Sequence, residues 1–157
     1  MHLRDYESAD AAATLDVFRR AVRGTASRDY SPEQVRAWAP DDVDVARWAA
    51  RRAAARTQVA EHEGRVVGFT DVDAEGYVDM LFVDPGVVRQ GVASALLGWV
   101  AATARSDGAT ELTTHASVTA RPFFEARGFV VVAERRPVLR GVEMVNYAMR
   151  RPLDPPA

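Results

Sequence analysis

The sequence predicts a mixed α+β fold with a central, mostly antiparallel sheet. After one short strand come three helical segments, then strand-like segments that pair as a hairpin, and finally strands that alternate with helices. The chain has 157 residues, of which 48% are hydrophobic and 27% charged. Because this length and composition are those of an ordinary globular domain, we expect one domain over residues 1–150, with 151–157 as a frayed tail.

The first half of the chain holds one short strand and three amphipathic helices. Leu15, Phe18 and Val22 recur at helical spacing in the first helix, and Ser31 followed by proline is a typical helix start, with Pro40 closing that helix. The strand and the three helices are predicted over residues 1–5, 10–23, 31–40 and 41–56.

The second half alternates strands with helices. Glu63-Gly64 is a hairpin turn between two strand-like segments, Asp84-Pro85 ends the most hydrophobic strand candidate, and Asp107-Gly108 ends an Ala- and Leu-rich helix. Strands are predicted over residues 58–61, 65–70, 77–83, 111–115, 129–133 and 142–149. Helices are predicted over residues 91–105 and 116–127.

The composition excludes several kinds of chemistry. The chain has no Cys, and all 20 of its basic residues are Arg, with a net charge of −2. Disulfides, thiolate nucleophiles, Cys-bound metals and Lys Schiff bases are therefore excluded. Polar residues interrupt the N-terminal segment, and no stretch approaches the ~20 apolar residues of a membrane span. We expect a cytoplasmic monomer or homodimer with no metal, no nucleic-acid partner and no membrane contact.

Residues 81–97 predict a site for a pyrophosphate. A hydrophobic strand leads into a turn, and the turn leads into a helix that begins with the small residues Gly91 and Ala93. Small residues let a ligand approach the backbone N–H groups, and the helix N-terminus carries a partial positive charge. An ordinary strand–turn–helix connection is the alternative interpretation.

Two sequence blocks resemble the GCN5-related N-acetyltransferase superfamily. Residues 88–93 occupy the family signature Gln/Arg-x-x-Gly-x-Gly/Ala, from which Val88 departs at the first position. Residues 123–129 match the block Phe-Phe/Tyr-Glu-x-x-Gly-Phe. Segments between residues 20 and 39 resemble the YafP-like bacterial subgroup. The resemblance covers residues 3–149.

The resemblance implies a fold and a set of acetyl-CoA contacts. The fold is a seven-stranded sheet, splayed between its fourth and fifth strands and flanked by four to five helices, in which the pantetheine arm bonds the free edge of strand four. The implied pantetheine contacts are the backbone groups of Leu81, Phe82 and Val83. The implied pyrophosphate contacts are Val88, Arg89, Gln90, Gly91, Val92, Ala93 and Ser94. Ser117 and Phe124 are expected to flank the thioester arm.

Acetyl transfer to an amine needs the free base, so a proton acceptor is expected near the acceptor amine. Asp79 is a carboxylate in an otherwise apolar strand, and His115, at the end of the fifth strand, has an intrinsic pKa suited to proton transfer. A solvent-facing position is the alternative for either. Phe124 stands where the family often has a general-acid tyrosine. Protonation of the leaving thiolate is then left to Tyr147, Tyr77, water or no group at all, since a thiolate with a pKa of about 8.5 is a tolerable leaving group.

The sequence gives limited information about the acceptor. Tyr30 and Trp38 lie in the region that the family uses to cover the acceptor, and carboxylates such as Asp79 favour a cationic acceptor. The leading hypothesis is acetyl transfer from acetyl-CoA to a small amine by direct attack in a ternary complex, with toxic or antibiotic amines among the candidates. The alternatives are acetylation of a protein or peptide and a low-turnover CoA-binding sensor or toxin-linked module.

Overall fold

The computed structural model describes residues 1–155, which form ten strands and five α-helices. The strands are β1 (His2–Asp5), β2 (Thr57–His62), β3 (Arg65–Asp71), β4 (Tyr77–Val78), β5 (Leu81–Val83), β6 (Glu111–Ser117), β7 (Val130–Arg135), β8 (Val138–Leu139), β9 (Val142–Glu143) and β10 (Asn146–Pro152). The helices are α1 (Ala11–Arg20), α2 (Pro32–Trp38), α3 (Val45–Ala54), α4 (Val92–Ser106) and α5 (Arg121–Glu125).

The strands form two four-stranded sheets and one short hairpin. The first sheet has the order β1-β2-β3-β5 and the second β4-β6-β10-β7, while β8 pairs with β9. Every pairing is antiparallel except that of β4 with β6. The predicted mixed α+β class with a mostly antiparallel sheet is therefore confirmed. The strand segments outnumber the expected seven because two predicted strands are each divided and β8 is added.

The predicted fourth strand, residues 77–83, is divided between the two sheets. β4 pairs with β6, whereas β5 pairs with β3. Asp71, at the end of β3, holds the break, because its Oδ1 accepts the backbone N–H groups of Asp79 at 2.9 Å and Met80 at 3.2 Å. The chain thus leaves one sheet and enters the other within two residues, and a gap opens between β5 and β6.

Two predicted helices differ from the structure. The first was predicted to run to residue 23, but its α-helical part, α1, ends at Arg20. A π-helical turn (Ala21–Thr25) and a 3-10 turn (Ala26–Arg28) follow it. The helix expected over residues 116–127 is only α5, because β6 runs on to Ser117 to pair with Asn146 of β10.

The tail predicted over residues 151–157 begins as part of the fold. Arg151 and Pro152 are the last residues of β10 and pair with Leu112 and Glu111 of β6. Leu153 is buried, and its N–H donates to the carbonyl of Thr110 at 2.9 Å. Pairing with β6 thus orders the first residues of a segment that its Pro-rich composition predicted to be frayed. The rest of the tail includes residues 156 and 157, which lie outside the described residues.

Helix α4 joins the two sheets at the gap. Its Leu96 packs with Val67 of the first sheet, whereas Leu97 and Val100 pack with Leu112 of the second. A separate cluster packs α1 and α3 against the first sheet, with members that include Leu15, Phe18, Trp48 and Phe69. Within residues 1–155 no helix is long and apolar enough to span a membrane.

Candidate active site

A cleft of about 560 Å³ lies between β5 and the segment from Ser117 to Phe124, and the start of α4 forms part of its wall. Its lining includes all but one of the residues predicted to bind acetyl-CoA: Leu81, Phe82, Val83, Val88, Arg89, Gly91, Val92, Ala93, Ser94, Ser117 and Phe124. Gln90 is exposed and does not line this cleft. We refer to it as the cofactor cleft.

Helix α4 begins in this cleft without a side-chain cap. Gly91, its N-cap residue, has a φ of +82°, and a Cβ added there would meet no atom within 4 Å. Arg89 also has a positive φ, of 63°. Because the first N–H groups of a helix have no partner within it, the start of α4 offers hydrogen-bond donors and a positive dipole end to the cleft. An anion such as a phosphate fits this arrangement.

Asp84 fixes the turn that leads to α4. It is buried, and its Oδ1 accepts the N–H of Gly86 at 2.8 Å. Its Oδ2 lies 3.1 Å from Nη1 of Arg20 on α1. This carboxylate holds the end of β5 and the following 3-10 turn (Pro85–Val87) in place against α1.

Arg127 is a cofactor-cleft residue that the sequence analysis missed. Its Nη2 donates to Ser94 Oγ at 2.5 Å, and its guanidinium lies 3.8 Å from the centre of the Phe123 ring. The side chain therefore sits beside the first turn of α4, where it adds positive charge. Its position inside the second motif, just before Gly128, is the sequence signal that could have identified it.

A second cleft, of about 320 Å³, adjoins the first. We call it the acceptor cleft. The two clefts share the wall residues Trp38, Leu81, Phe82, Ser117, Ala120 and Phe124. The rest of the acceptor cleft combines polar residues, namely Tyr77, Asp79, Thr114, His115, Arg135 and Asn146, with apolar residues on and around the β8–β9 hairpin. A molecule in one cleft would reach a molecule in the other at this shared wall.

Asp79 and His115, the two predicted proton acceptors, both line the acceptor cleft. His115 Nδ1 lies 3.3 Å from the Tyr77 hydroxyl, and the two rings meet edge to face with 5.4 Å between centres. Partial burial is the main cause that lowers the pKa of His115; Arg135 lowers it further and Asp79 opposes both. This shift favours the neutral imidazole, whose Nδ1 shares a hydrogen bond with the Tyr77 hydroxyl.

Tyr147 does not line either cleft. It pairs with Ala116 of β6, on the face of the sheet that packs into the core, and its ring lies 4.6 Å from the Arg121 guanidinium. The alternation of β10 places Tyr147 on the opposite face of the sheet from His115, and its role as a catalytic acid stays a prediction. Tyr77, the other tyrosine considered, lies in the acceptor cleft, and burial raises its pKa.

Tyr30 and Trp38, the predicted acceptor contacts, form a wall of the acceptor cleft. The Tyr30 hydroxyl donates to the carbonyl of Val145 at 2.5 Å and accepts the N–H of Val118 at 2.9 Å. With both hydrogen bonds made inside the protein, Tyr30 offers only its ring. Trp38 packs edge to face on Tyr30, with 5.3 Å between ring centres, and lines both clefts.

Among residues 1–155, no three His, Asp or Glu side chains come together in a way that could hold a metal ion.

Three comparisons relate the chain to known proteins. A family model described as an acetyltransferase (GNAT) domain matches residues 26–151. The uncharacterized N-acetyltransferase YafP of Escherichia coli K12 is 43% identical over 150 residues, which is 96% of this chain and 95% of that protein.

Solved structures share the fold. The GCN5-related N-acetyltransferase (aminotransferase, class-II) of Rhodopseudomonas palustris superposes with a TM-score of 0.94 at 34% identity, over 97% of this chain and 95% of that one. The PaiA N-acetyltransferase of Thermoplasma acidophilum, solved in complex with coenzyme A, has a TM-score of 0.77 at 15% identity, over 96% and 98% of the chains. At that identity the likeness is one of fold.

Proposed function

Because the chain belongs to the acetyltransferase (GNAT) family, we propose that it binds acetyl-CoA in the cofactor cleft and acetylates the amine of a small molecule held in the acceptor cleft. The amine attacks directly in a ternary complex, since the chain has neither Cys nor Lys to carry an acetyl group. The observation that supports the proposal is that the start of α4 and His115 line two clefts that share a wall.

The cofactor cleft suits each part of CoA. The N–H groups at the start of α4, together with Arg89 and Arg127, bind the pyrophosphate, and hydrogen bonds to a charged group contribute about 1.5–3 kcal/mol each. The edge of β5 that faces away from β3 is available to the amide groups of pantetheine. When bound, acetyl-CoA supplies the thioester whose acetyl group the amine receives.

His115 is the proposed proton acceptor, and Asp79 is proposed to attract the ammonium form of the acceptor. An alkyl amine with a pKa of about 10.4 is neutral only about once in 2,500 at pH 7, which corresponds to about 4.6 kcal/mol. A neutral imidazole within reach of the amine lowers this cost because it takes the proton as the amine attacks. Tyr77 orients the His115 imidazole through its contact with Nδ1. The Tyr77 hydroxyl is therefore next to the proposed base.

A small acceptor is favoured because a hairpin closes one side of the acceptor cleft. Arg140, in the turn between β8 and β9, donates to the carbonyl of Ala37 at 2.7 Å, and Gln34 donates to the carbonyl of Glu143 at 3.0 Å. These bonds tie the hairpin to α2 across the cleft. A peptide would need an open groove there, so a small amine, with toxic or antibiotic compounds among the candidates, fits better. We propose a cytoplasmic site of action, in line with the absence of Cys.

Thiol release from acetyl-CoA with a panel of small amines tests the proposal. Wild-type protein should release CoA at a rate that depends on the amine, and a peptide with a free N-terminus should give little release. Binding of CoA by calorimetry without turnover of any amine or peptide would identify a CoA-binding sensor and overturn the proposed reaction. Stable acetylation of the chain itself, seen by mass spectrometry, would overturn the direct mechanism.

A further inference from the structure

Arg135, at the end of β7, is a cation in the acceptor cleft that the proposed reaction does not use. It is half-buried, and its Nη1 donates to Asn146 Oδ1 at 3.0 Å. In the described part of the chain, no carboxylate lies within 4 Å of its guanidinium, whereas the next residue, Arg136, pairs with both Glu134 and Glu143. Arg135 therefore keeps most of its donors for another partner.

The strand register turns Arg135 toward the reacting groups. Asn146 of β10 pairs with Arg135 on one side and with Ser117 of β6 on the other, so the three residues form a row across three strands. His115 lies two residues before Ser117 and therefore on the same face. With strands about 4.8 Å apart, the long Arg135 side chain can reach back over Asn146 toward His115.

The charges in the cleft form a pair of opposite sign. Asp79 supplies negative charge and Arg135 positive charge, and each affects His115, since Arg135 lowers its pKa and Asp79 raises it. A guanidinium presents several N–H donors in a planar fork that fits a carboxylate. A ligand that carries both an ammonium and a carboxylate would match both groups.

The remaining wall is apolar. Pro137, Val138, Leu139, Met144 and Val145, on and around the β8–β9 hairpin, line this part of the acceptor cleft. Trp38 and Phe82 continue the apolar surface toward the cofactor cleft. These side chains give a ligand's hydrocarbon part a place to bury, and a strongly polar side chain would lose hydration there without gaining hydrogen bonds.

We infer that the acceptor is a free amino acid with an apolar side chain, whose carboxylate binds Arg135 and Asn146 while its amine faces His115 and Asp79. This inference rests on the proposed function and specifies its substrate class. An amino acid replaces the purely cationic acceptor that the sequence favoured, because the positive charge of Arg135 lies in the same cleft as the negative charge of Asp79. A peptide or protein substrate lacks a carboxylate beside the reacting amine and would leave Arg135 without its partner.

The test compares each amino acid with its decarboxylated amine. The pairs are valine with isobutylamine, leucine with 3-methylbutylamine, methionine with 3-(methylthio)propylamine and phenylalanine with 2-phenylethylamine. Calorimetric titration into CoA-saturated protein gives the affinity of each, and thiol release from acetyl-CoA gives kcat/KM. For at least one pair, the wild type should bind the amino acid about 10- to 100-fold more tightly than the amine.

Arg135→Gln is the informative variant, because glutamine keeps a donor for Asn146 but removes the charge. It should remove the preference for the amino acid over the amine while changing the affinity for the amine by less than about threefold. Arg136→Gln is the matched control, since the neighbouring arginine already pairs with glutamates outside the cleft. The control should keep the preference of the wild type.

The outcomes separate this inference from the proposed function. If no amino acid in the set binds, or if the preference is the same in wild type and Arg135→Gln, the inference is overturned even where amines are acetylated. If amino acids bind in a manner that depends on Arg135 but no acceptor yields thiol, the amino-acid binding site at Arg135 stands and the proposed acetylation is overturned. Equal loss of preference in Arg136→Gln would also overturn it, since charge alone would explain the effect.

Discussion

Replacing Gly91 with glutamate should strongly weaken CoA binding and leave the fold intact. Gly91 has a φ of +82° and a ψ of 4°, and a Cβ at this position meets no atom within 4 Å. The left-handed conformation costs a residue with a Cβ about 1–2 kcal/mol. The new carboxylate lies near the positive end of α4, which returns about 0.3–1 kcal/mol. The free energy of unfolding should therefore fall by about 1 kcal/mol.

The effect on binding should be larger than the effect on stability. The glutamate side chain would occupy the space in front of the first N–H groups of α4 and bring a negative charge beside the pyrophosphate. Loss of two charge-assisted hydrogen bonds, at about 1.5–3 kcal/mol each, amounts to about 3–6 kcal/mol. This corresponds to an increase in Kd of about 10²- to 10⁴-fold.

Calorimetric titration with CoA, alongside thermal unfolding followed by circular dichroism, measures both quantities. Gly108→Glu is the matched control: Gly108 has a φ of +85°, also has no atom within 4 Å of an added Cβ, and lies just beyond the opposite end of α4. The control should lose at least as much stability but bind CoA normally. A folded Gly91→Glu that binds CoA within threefold of wild type, or an equal loss in Gly108→Glu, would refute the phosphate site.

Three further predictions follow, two from the acceptor cleft and one from the buried ion pair of Arg52 and Asp71. The pH profile of kcat/KM should have an acid limb with its midpoint below 6.5, because burial lowers the pKa of His115. His115→Gln should remove that limb and lower kcat/KM by about 10²- to 10⁴-fold, a deficit that shrinks at high pH as the amine deprotonates unaided; an unchanged profile would exclude His115 as the base. Tyr147→Phe should keep kcat/KM within about threefold, and a loss above tenfold would contradict its position outside the clefts. Asp71→Asn should lower the free energy of unfolding by about 3–5 kcal/mol, because Arg52, 3.6 Å away and 4% exposed, would be left as an unpaired buried charge. The double variant Arg52→Met/Asp71→Asn should regain most of the lost free energy of unfolding, measured by chemical denaturation. A double variant as unstable as Asp71→Asn would mean that the Asp71 carboxylate acts mainly through the strand break.

Local signals in the sequence were enough to predict most of the elements and the strand–turn–helix segment at the start of α4. Gly91 at a helix start, a hydrophobic strand before it and Asp84-Pro85 between them act within a few residues of one another. The conformations they favour are therefore visible without knowledge of the fold. The same is true of the motif of residues 123–129, whose Gly128 has a φ of +90°.

Features that depend on distant contacts could not be predicted in this way. The side of the sheet to which Tyr147 points depends on its pairing with Ala116, which lies 31 residues earlier in the sequence. Arg127 and Arg135 act through long side chains that reach Ser94 and Asn146 on other elements. A sequence pattern shows neither the register nor the direction of such side chains.

The break between β4 and β5 connects the two clefts, and its cause is a buried charge rather than a turn motif. The Asp71 carboxylate accepts two N–H groups at the break, and burial raises its pKa although Arg52 and those bonds act in the opposite direction. Because the chain leaves the second sheet at this point, β5 has a strand on only one side, and its other edge borders the cofactor cleft. Because the N–H of Asp79 is held by Asp71, the same bond fixes the Asp79 backbone in the wall of the acceptor cleft. One carboxylate at the end of β3 thus shapes the cofactor edge and the acceptor wall together.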